Sequence, residues 1–483
     1  MPSTRSSPRS TISWQREPSR KRSAPSTQFV RTLSGLTLKL LGSSPGRLLI
    51  FIRILPRPLL SGLRRAAFRR TLRLAASRSA FYRRAFARHG IDIKRVRSPE
   101  DLGEFFLSSA DLKGTPPADF FCAEPELAIE SSGTTGQVTR IFLSQRELDY
   151  NARQAAVLSA VYGLTAADRV VSTLDLGFGL GGLLALKGFP YWRSFGMAVG
   201  RVAPEEVYER MAFYGFNVVI SDPFWLSRLT EVARERGRPV PLKLLIGGGE
   251  GITARTRSEI EEFWEAPLYM TYSSTETATL LGFECLEQDG YHLNEFDFFV
   301  EVPEPDADGY GEIVFTTTGR TVMPLIRYRT GDVAKLVDGP CRCGFPFRRL
   351  SLLRGRTDEL VACAWGNVHP ELFEDLLAGI PGLGPEWQVG LVERGLRPTF
   401  QFRLECLDGS VERAEVIHRI LGALQRQQPT SWQAYCQRLV DLEFLFLLRG
   451  TLRTDHKLLR LVDERWQPEP SRWASEVGTV LPR

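Results

Sequence analysis

From residue 146 the chain alternates amphipathic stretches with short apolar runs. The segment 146–162 (RELDYNARQAAVLSAVY) spaces its apolar residues as a helix does and precedes the run RVVSTL at 169–174. EEVYERMAF at 205–213 precedes NVVIS at 217–221, and PFWLSRLTEVARER at 223–236 precedes LKLLI at 242–246. TARTRSEIEEFWE at 253–265 leads into LYM at 268–270. Short β-branched runs between amphipathic helices predict an α/β fold, a mainly parallel sheet flanked by helices. In such sheets ligands sit in the loops at the carboxyl ends of the strands.

The rhythm changes twice. Residues 310–317 (YGEIVFTT) and 325–336 read as strands of a small β-rich, more antiparallel subdomain. After GRTDE at 355–359 the pattern is α+β, with helices expected at 369–378, 411–426 and 431–440 and strands at 387–392, 398–405 and 442–448. Upstream, a helical pattern with Leu72, Phe81, Tyr82 and Phe86 starts at about residue 64. The expected organisation is a leader over 1–65, a large N-terminal domain over 66–357, and a small C-terminal domain over 358–483. There is no internal repeat.

Charge separates the leader from the rest. The chain of 483 residues has net charge +6, but residues 1–78 hold 17 Lys+Arg and one acid, Glu17. That part is 17 − 1 = +16, so the remainder carries 6 − 16 = −10. Overall charge is therefore no argument for nucleic-acid binding, and no nucleic-acid partner is expected. The leader reads first as a disordered basic tail. Attachment to an anionic membrane surface is the next reading, and an Arg-rich, Ser-rich transit peptide is not excluded. The apolar stretch 48–60 is interrupted by Arg53, Pro56, Arg57 and Pro58, so no membrane-spanning helix is expected. The expected location is cytoplasmic, with peripheral membrane contact through residues 1–65 as the accompanying reading. Seven cysteines are too few for a disulfide scaffold.

Six short motifs carry candidate chemistry. SSGTTGQVTR at 131–140 combines turn-making Gly133 and Gly136 with the hydroxyls of Ser131, Ser132, Thr134 and Thr135, a composition that makes a nest for phosphate oxygens. Its bland alternative is a flexible linker, and Walker spacing is absent. GGGEG at 247–251 is a glycine turn after a strand. YSSTET at 272–277 offers an aromatic (Tyr272), hydroxyls including Thr275, and Glu276, a carboxylate suited to Mg2+; read alone it is an ordinary helix cap. RYRTGD at 327–332 supplies Asp332 for ribose hydroxyls, GRTDE at 355–359 follows, and Lys457 lies near the end. Alone, these three read as a turn, a domain linker and a solvated charge.

In this order and spacing the motifs resemble the adenylate-forming superfamily of acyl-CoA ligases, and most closely its phenylacetate-CoA ligases. SRSAFYRRAFARHGIDIKRVRSPEDL at 77–102, CRCG at 341–344 and HKLLRLVDER at 456–465 carry the closer likeness, which spans about 66–483. The resemblance implies ATP-dependent conversion of a carboxylic acid to an acyl-adenylate, then transfer to the thiol of coenzyme A, with the C-terminal domain swinging between steps. Carried over by motif, Ser131, Ser132, Gly133, Thr134, Thr135 and Gly136 would hold the outer phosphates. Gly248, Gly249, Glu250 and Tyr272 would meet the adenine. Thr275 would contact the α-phosphate, Glu276 the Mg2+, and Asp332 the ribose, with Arg356 nearby. Asp358 would be the hinge. Lys457 would bridge the α-phosphate and the carboxylate, because charge growing on phosphoryl oxygens needs a positioned cation.

The chain departs from the family pattern in three places. Gln137, Val138 and Thr139 replace a Lys-Pro-Thr run, His456 stands before Lys457 where glycine is common, and Trp365 in ACAWGNVHP stands where a glycine is expected near the coenzyme A path. Trp365 leaves the acceptor open between coenzyme A and a carrier protein or amine, as in capsule or secondary-metabolite pathways. A non-catalytic relative is a further alternative, opposed by the retention of Glu276, Asp332, Arg356 and Lys457. Phe178 and Phe224, with Trp225, are candidates for lining an aryl or arylacetic acid pocket, though each alone reads equally well as core.

Cys285 and His292 in FECLEQDGYH, with Cys341 and Cys343 in PCRCG, make three thiols and one imidazole. Such a set closes a tetrahedral structural zinc site; the alternative is separate reduced cysteines. The same EC…H…CxC pattern in the ligase family favours zinc, pinning the strand after Glu276 to the loop after Asp332.

Overall fold

Proline opens the long helix over 57–78 rather than blocking it. Pro56 caps α1 (Arg57–Arg78) and Pro58 lies in its first turn, where a missing amide proton leaves no bond unmade. The helix thus starts before residue 64, inside the segment assigned to the leader. In this computed structural model the described residues are 50, 53 and 56–483, less 132–137, 178, 238–239, 338, 358–360, 408–411, 453–458, 467–472, 474–478 and 481–483. All elements below belong to one contact unit, Pro45–Arg483.

Next come α2 (Ala80–Arg88), the hairpin β1 (Leu127–Glu130) and β2 (Arg140–Leu143), and α3 (Gln145–Ala155). α3 is opened by a capping box in which Ser144 and Glu147 bond each other's amides. The expected alternation follows: β3 (Arg169–Ser172), α4 (Gly181–Trp192), β4 (Phe195–Ala198), α5 (Pro204–Tyr214), β5 (Val218–Ser221), α6 (Pro223–Arg236), β6 (Leu244–Gly247), α7 (Ala254–Trp264) and β7 (Leu268–Ser273). α4 and β4 are additions to the sequence reading. α4 starts with two glycines and contains Pro190, all poor helix formers, and burial of Leu184, Phe189 and Trp192 holds it in place.

β8 (Leu280–Glu284), β9 (Tyr291–Leu293), β10 (Phe298–Glu301), β11 (Gly311–Thr317), β12 (Tyr328–Ala334), β13 (Leu336–Val337), β14 (Arg349–Leu350) and β15 (Gly355–Arg356) complete two sheets. Among the described residues, a nine-stranded sheet has the order β13-β14-β9-β8-β7-β6-β5-β3-β4. Its run from β4 to β7 is parallel and its β7-to-β13 end antiparallel. β5 and β6 are buried at every residue, which explains their unbroken apolar runs. The second sheet, β10-β11-β12-β15, is antiparallel, as expected of 310–317 and 325–336.

The last part is α+β as read. The hairpin β16 (Val361–Cys363) and β17 (Gly366–Val368) leads to α8 (Pro370–Leu377), then β18 (Leu383–Arg394), β19 (Arg397–Cys406), α9 (Arg413–Gln427), α10 (Pro429–Cys436), β20 (Asp441–Leu448), β21 (Leu461–Asp463) and β22 (Thr479–Val480). Five strands order as β21-β18-β19-β20-β22. No helix among the described residues is long and apolar enough to cross a membrane.

Candidate functional site

The parallel order turns around β3, whose neighbours are β4 and β5, and a crevice at the carboxyl ends of such strands is where a ligand fits. The strand ends are tied together there. Thr173 and Ser221 hydroxyls lie 2.5 Å apart, the Gly248 amide donates to the Ser221 carbonyl at 3.1 Å, and the Thr271 hydroxyl donates to the Gly247 carbonyl at 2.9 Å. The glycines are required by this closeness. A Cβ on Gly248 would stand 2.4 Å from Thr271 Oγ1, one on Gly247 would stand 2.4 Å from Met270 Sδ, and Gly249 has φ +87°.

Four residues read from three separate motifs meet beside this turn. Tyr272, at the end of β7, donates its hydroxyl to Asp332 Oδ2 at 2.7 Å. Arg356, paired with Asp332 across β12 and β15, donates to Asp332 Oδ1 at 2.5 Å and to the Thr330 carbonyl at 2.9 Å. Burial pushes the Asp332 carboxyl above its ordinary range, opposed by the Arg356 charge and the Tyr272 bond. Burial and then the adjacent Asp332 charge raise the Tyr272 hydroxyl. Glu276 accepts from the Tyr328 hydroxyl at 3.1 Å, and Thr275 precedes it in the same half-buried turn.

Two residues the sequence reading passed over hold that turn. Arg320, buried, donates to the carbonyls of Glu276 and Thr277 at 2.8 and 2.6 Å. Tyr328 stands in RYRTGD, but nothing in the sequence marked it as the partner of Glu276. A lone arginine in TTTGRT has no local signal either.

Ser131 closes the base of the β1–β2 connection: its amide donates to the Thr139 carbonyl and its hydroxyl accepts from the Thr139 amide, both at 3.0 Å. Ser132, Gly133, Thr134, Thr135 and Gly136 lie outside the described residues, as do Phe178, Asp358 and Lys457.

A second cluster lies where the C-terminal layer meets the crevice. Glu250 keeps its Oε2 enclosed without a hydrogen bond, and desolvation followed by repulsion from Asp222 holds its carboxyl well above the usual range. Arg201 lies 3.8 Å from Asp222 and donates to the Ala364 carbonyl, at the tip of the β16–β17 hairpin, at 3.2 Å. Arg465 donates to Asp463 at 2.6 Å and places its guanidinium 5.4 Å from the ring centre of Phe224. Phe224 is thus a junction residue as well as a pocket candidate. Trp365 does not project across this junction. Its ring packs 4.5 Å from Phe400 and 6.3 Å from Phe373, inside the C-terminal layer.

The cysteine–histidine set is assembled by strand pairing. Cys285 follows β8, His292 lies in β9 opposite Phe283 and Arg349, and Cys341 and Cys343 lie in the loop between β13 and β14. All four ligand atoms are within 4.8 Å of one another. Cys285 Sγ and Cys341 Sγ are 3.7 Å apart, and Cys343 Sγ is 3.3 Å from His292 Nε2. A zinc–sulfur bond of about 2.3 Å gives a tetrahedral S···S edge of ~3.8 Å, so the donor set fits such an ion. Hydrogen bonding from Cys285, then from His292 and the Phe345 amide, pulls the Cys343 thiol below its ordinary range.

No family model matches the chain. It is 29% identical over 372 residues to the phenylacetate-coenzyme A ligase of Thermus thermophilus, covering 73% of this chain and 83% of the relative. It is 27% identical over 371 residues to the Escherichia coli phenylacetate-coenzyme A ligase, covering 72% and 84%. The structure matches that of 2-hydroxyisobutyryl-CoA ligase with its acyl-AMP and CoA in the thioesterification state, with TM-score 0.73 at 21% identity over 85% of this chain and 91% of that one. The chain is thus similar in sequence to phenylacetate-coenzyme A ligases over about three quarters of its length, and it shares the fold of an acyl-CoA ligase. The same 2-hydroxyisobutyryl-CoA ligase in its postadenylation state matches at TM-score 0.58 and 20% identity, over 83% of this chain and 89% of that one.

Proposed function

We propose that this protein is an AMP-forming acid–thiol ligase. It activates a carboxylic acid, of aryl or arylacetic type, with ATP to an acyl-adenylate and pyrophosphate, then transfers the acyl group to the thiol of coenzyme A. The observation that carries the reading is the convergence of Tyr272, Asp332, Arg356 and Glu276 from three separated motifs onto one strand-end crevice.

Asp332, kept in place by Tyr272 and Arg356, offers carboxylate oxygens to the two ribose hydroxyls. Glycines 248 and 249, with Glu250, would line the adenine, and Tyr272 would lie against its face. Ser131 through Gly136 receive the outer phosphates on loop amides and hydroxyls. Thr275 meets the α-phosphate and Lys457 neutralises it as the substrate carboxylate attacks in line. Glu276, its carboxylate aimed by Tyr328 and its backbone by Arg320, would hold Mg2+, which when bound offsets the charge of the phosphate oxygens. Phe178 and Phe224 would bound an aromatic acid. Cys285, His292, Cys341 and Cys343 would hold a structural zinc ion; four protein donors leave no open position for catalysis.

Coenzyme A is favoured as acceptor over a carrier protein or amine. The higher TM-score to the thioesterification-state structure supports a C-terminal layer lying as that step needs, and the bulk of Trp365 turns into that layer. Asp358 would be the pivot between the two steps.

The two half-reactions of Lys457→Ala test the assignment. Acid-dependent adenylate formation should fall by several orders of magnitude, while thioester formation from supplied acyl-adenylate stays within a few-fold of wild type. Equal loss in both would remove Lys457 from its role; adenylate formation without thioester would favour the other acceptors.

A further inference from the structure

α1 has two unlike faces. Leu60, Phe68, Thr71, Leu72 and Ala75 are buried. Thr71 donates to the Thr318 carbonyl at 3.3 Å, and Arg64 pairs with Glu295 at 2.8 Å while lying 4.6 Å over the Phe299 ring. These contacts fix the helix rigidly to the body. The opposite face presents Leu59 and Leu63, 52% and 37% exposed, at one end. The exposed Arg65, Arg69 and Arg73 follow at successive i,i+4 steps. No acid occurs in the helix sequence, and among the described residues no carboxylate pairs with these three arginines. Upstream, Ile50 is 63% exposed.

We propose that this face docks the protein peripherally on an anionic lipid bilayer, the arginines meeting headgroup phosphates and Leu59 and Leu63 entering the interface. Three facts choose this occupant. Exposed leucines beside unpaired arginines suit an interface that is apolar below and anionic above, whereas a nucleic acid would use only the cations. The residues after 78 carry a net −10, whereas α1 holds arginines and no acid, so an anionic plane repels the body and attracts this helix. The face from Leu59 to Arg73 is about 20 Å long at 1.5 Å per residue, enough to lie along a surface.

Cosedimentation of the full chain with vesicles is the test. Binding is expected to phosphatidylcholine vesicles containing phosphatidylglycerol, with little to phosphatidylcholine alone. The triple variant Arg65→Glu, Arg69→Glu, Arg73→Glu should weaken partitioning on the order of 100-fold, from the loss of three surface cations. Leu59→Ser with Leu63→Ser should weaken it about 10-fold without altering affinity for duplex DNA. Circular dichroism and thermal midpoints confirm that the variants fold. No binding of wild type to anionic vesicles would overturn the proposal. So would full retention by the folded triple variant, which would place the attraction in residues 1–49. Leucine-independent binding, matched by equally tight DNA binding, would also overturn it in favour of a general polyanion site.

Discussion

Arg397 holds both carboxylate oxygens of Glu231, each 2.6 Å from its Nε, across 166 positions of chain. Glu231 belongs to α6 beside the crevice, and Arg397 opens β19 in the C-terminal layer. Arg228, almost fully enclosed, reaches Glu231 from the other side at 3.1 Å and also Glu205 and Glu235. Close by, Glu393 accepts from the hydroxyls of Thr253 and Thr256 at 2.9 and 2.7 Å. The tip of the β18–β19 hairpin is therefore clasped to two helices of the large sheet. A charge-assisted pair of this kind contributes about 1.5–3 kcal/mol. If the C-terminal layer moves between the two steps as proposed and the clasp belongs to the thioester-forming arrangement, Arg397→Gln should slow thioester formation about 10-fold and leave adenylate formation within 2-fold. The double variant with Glu231→Gln should be no worse than the single one. Equal slowing of both steps would mean that the clasp merely stabilises the fold.

The Tyr272–Asp332 bond gives a second prediction. Tyr272→Phe removes one buried hydrogen bond and frees the Asp332 carboxylate to move. The KM for ATP should rise about 5- to 10-fold, from a loss of about 1–1.5 kcal/mol, with kcat changed less. Steady-state kinetics at saturating acid measure this; an unchanged KM would separate Asp332 from the nucleotide.

Metal analysis of the Cys285, His292, Cys341 and Cys343 set is the third. Dialysed protein should retain one zinc per chain, and Cys341→Ser should lose it along with several degrees of thermal midpoint. The site ties β8 and β9 to the β13–β14 loop, so chelation should destabilise before it inhibits. Metal-free wild type with an unchanged midpoint in chelator would refute the zinc assignment.

Glu301 supplies a pH dependence. It faces Arg327 at 3.1 Å, yet desolvation dominates and pushes its carboxyl up to about 7 from 4.5. A raised folded-state value means that the native state binds this proton more tightly between about 4.5 and 7. Stability from this group is therefore present below 4.5 and declines as pH rises through 7, by at most about 3 kcal/mol. Urea midpoints at pH 5 and pH 8 should differ less for Glu301→Gln than for wild type. Parallel midpoints would show that the Arg327 charge compensates the burial.

Much of this was legible in the sequence, for physical reasons. β5 and β6 announced themselves because strands covered on both faces need unbroken apolar runs. Gly247 and Gly248 stood out because no side chain fits there, Gly249 because its φ is +87°, and the cysteine pattern because few residue types ligate a metal. α4 hid behind its glycines and Pro190, and the start of α1 behind prolines that a first helical turn tolerates. Arg320, Tyr328 and the Glu231–Arg397 clasp were not legible at all. Each acts on a partner tens of residues or more away, and an arginine or tyrosine carries no mark of which carbonyl or carboxylate it will meet.

Acid-dependent exchange of pyrophosphate into ATP, across a panel of aryl, arylacetic and aliphatic acids, tests the central claim most directly. The account predicts exchange that requires Mg2+ and an acid, is greatest with an aryl or arylacetic acid, and gives way to thioester when coenzyme A is added. No exchange with any acid, in folded protein that also fails to bind ATP, would contradict it.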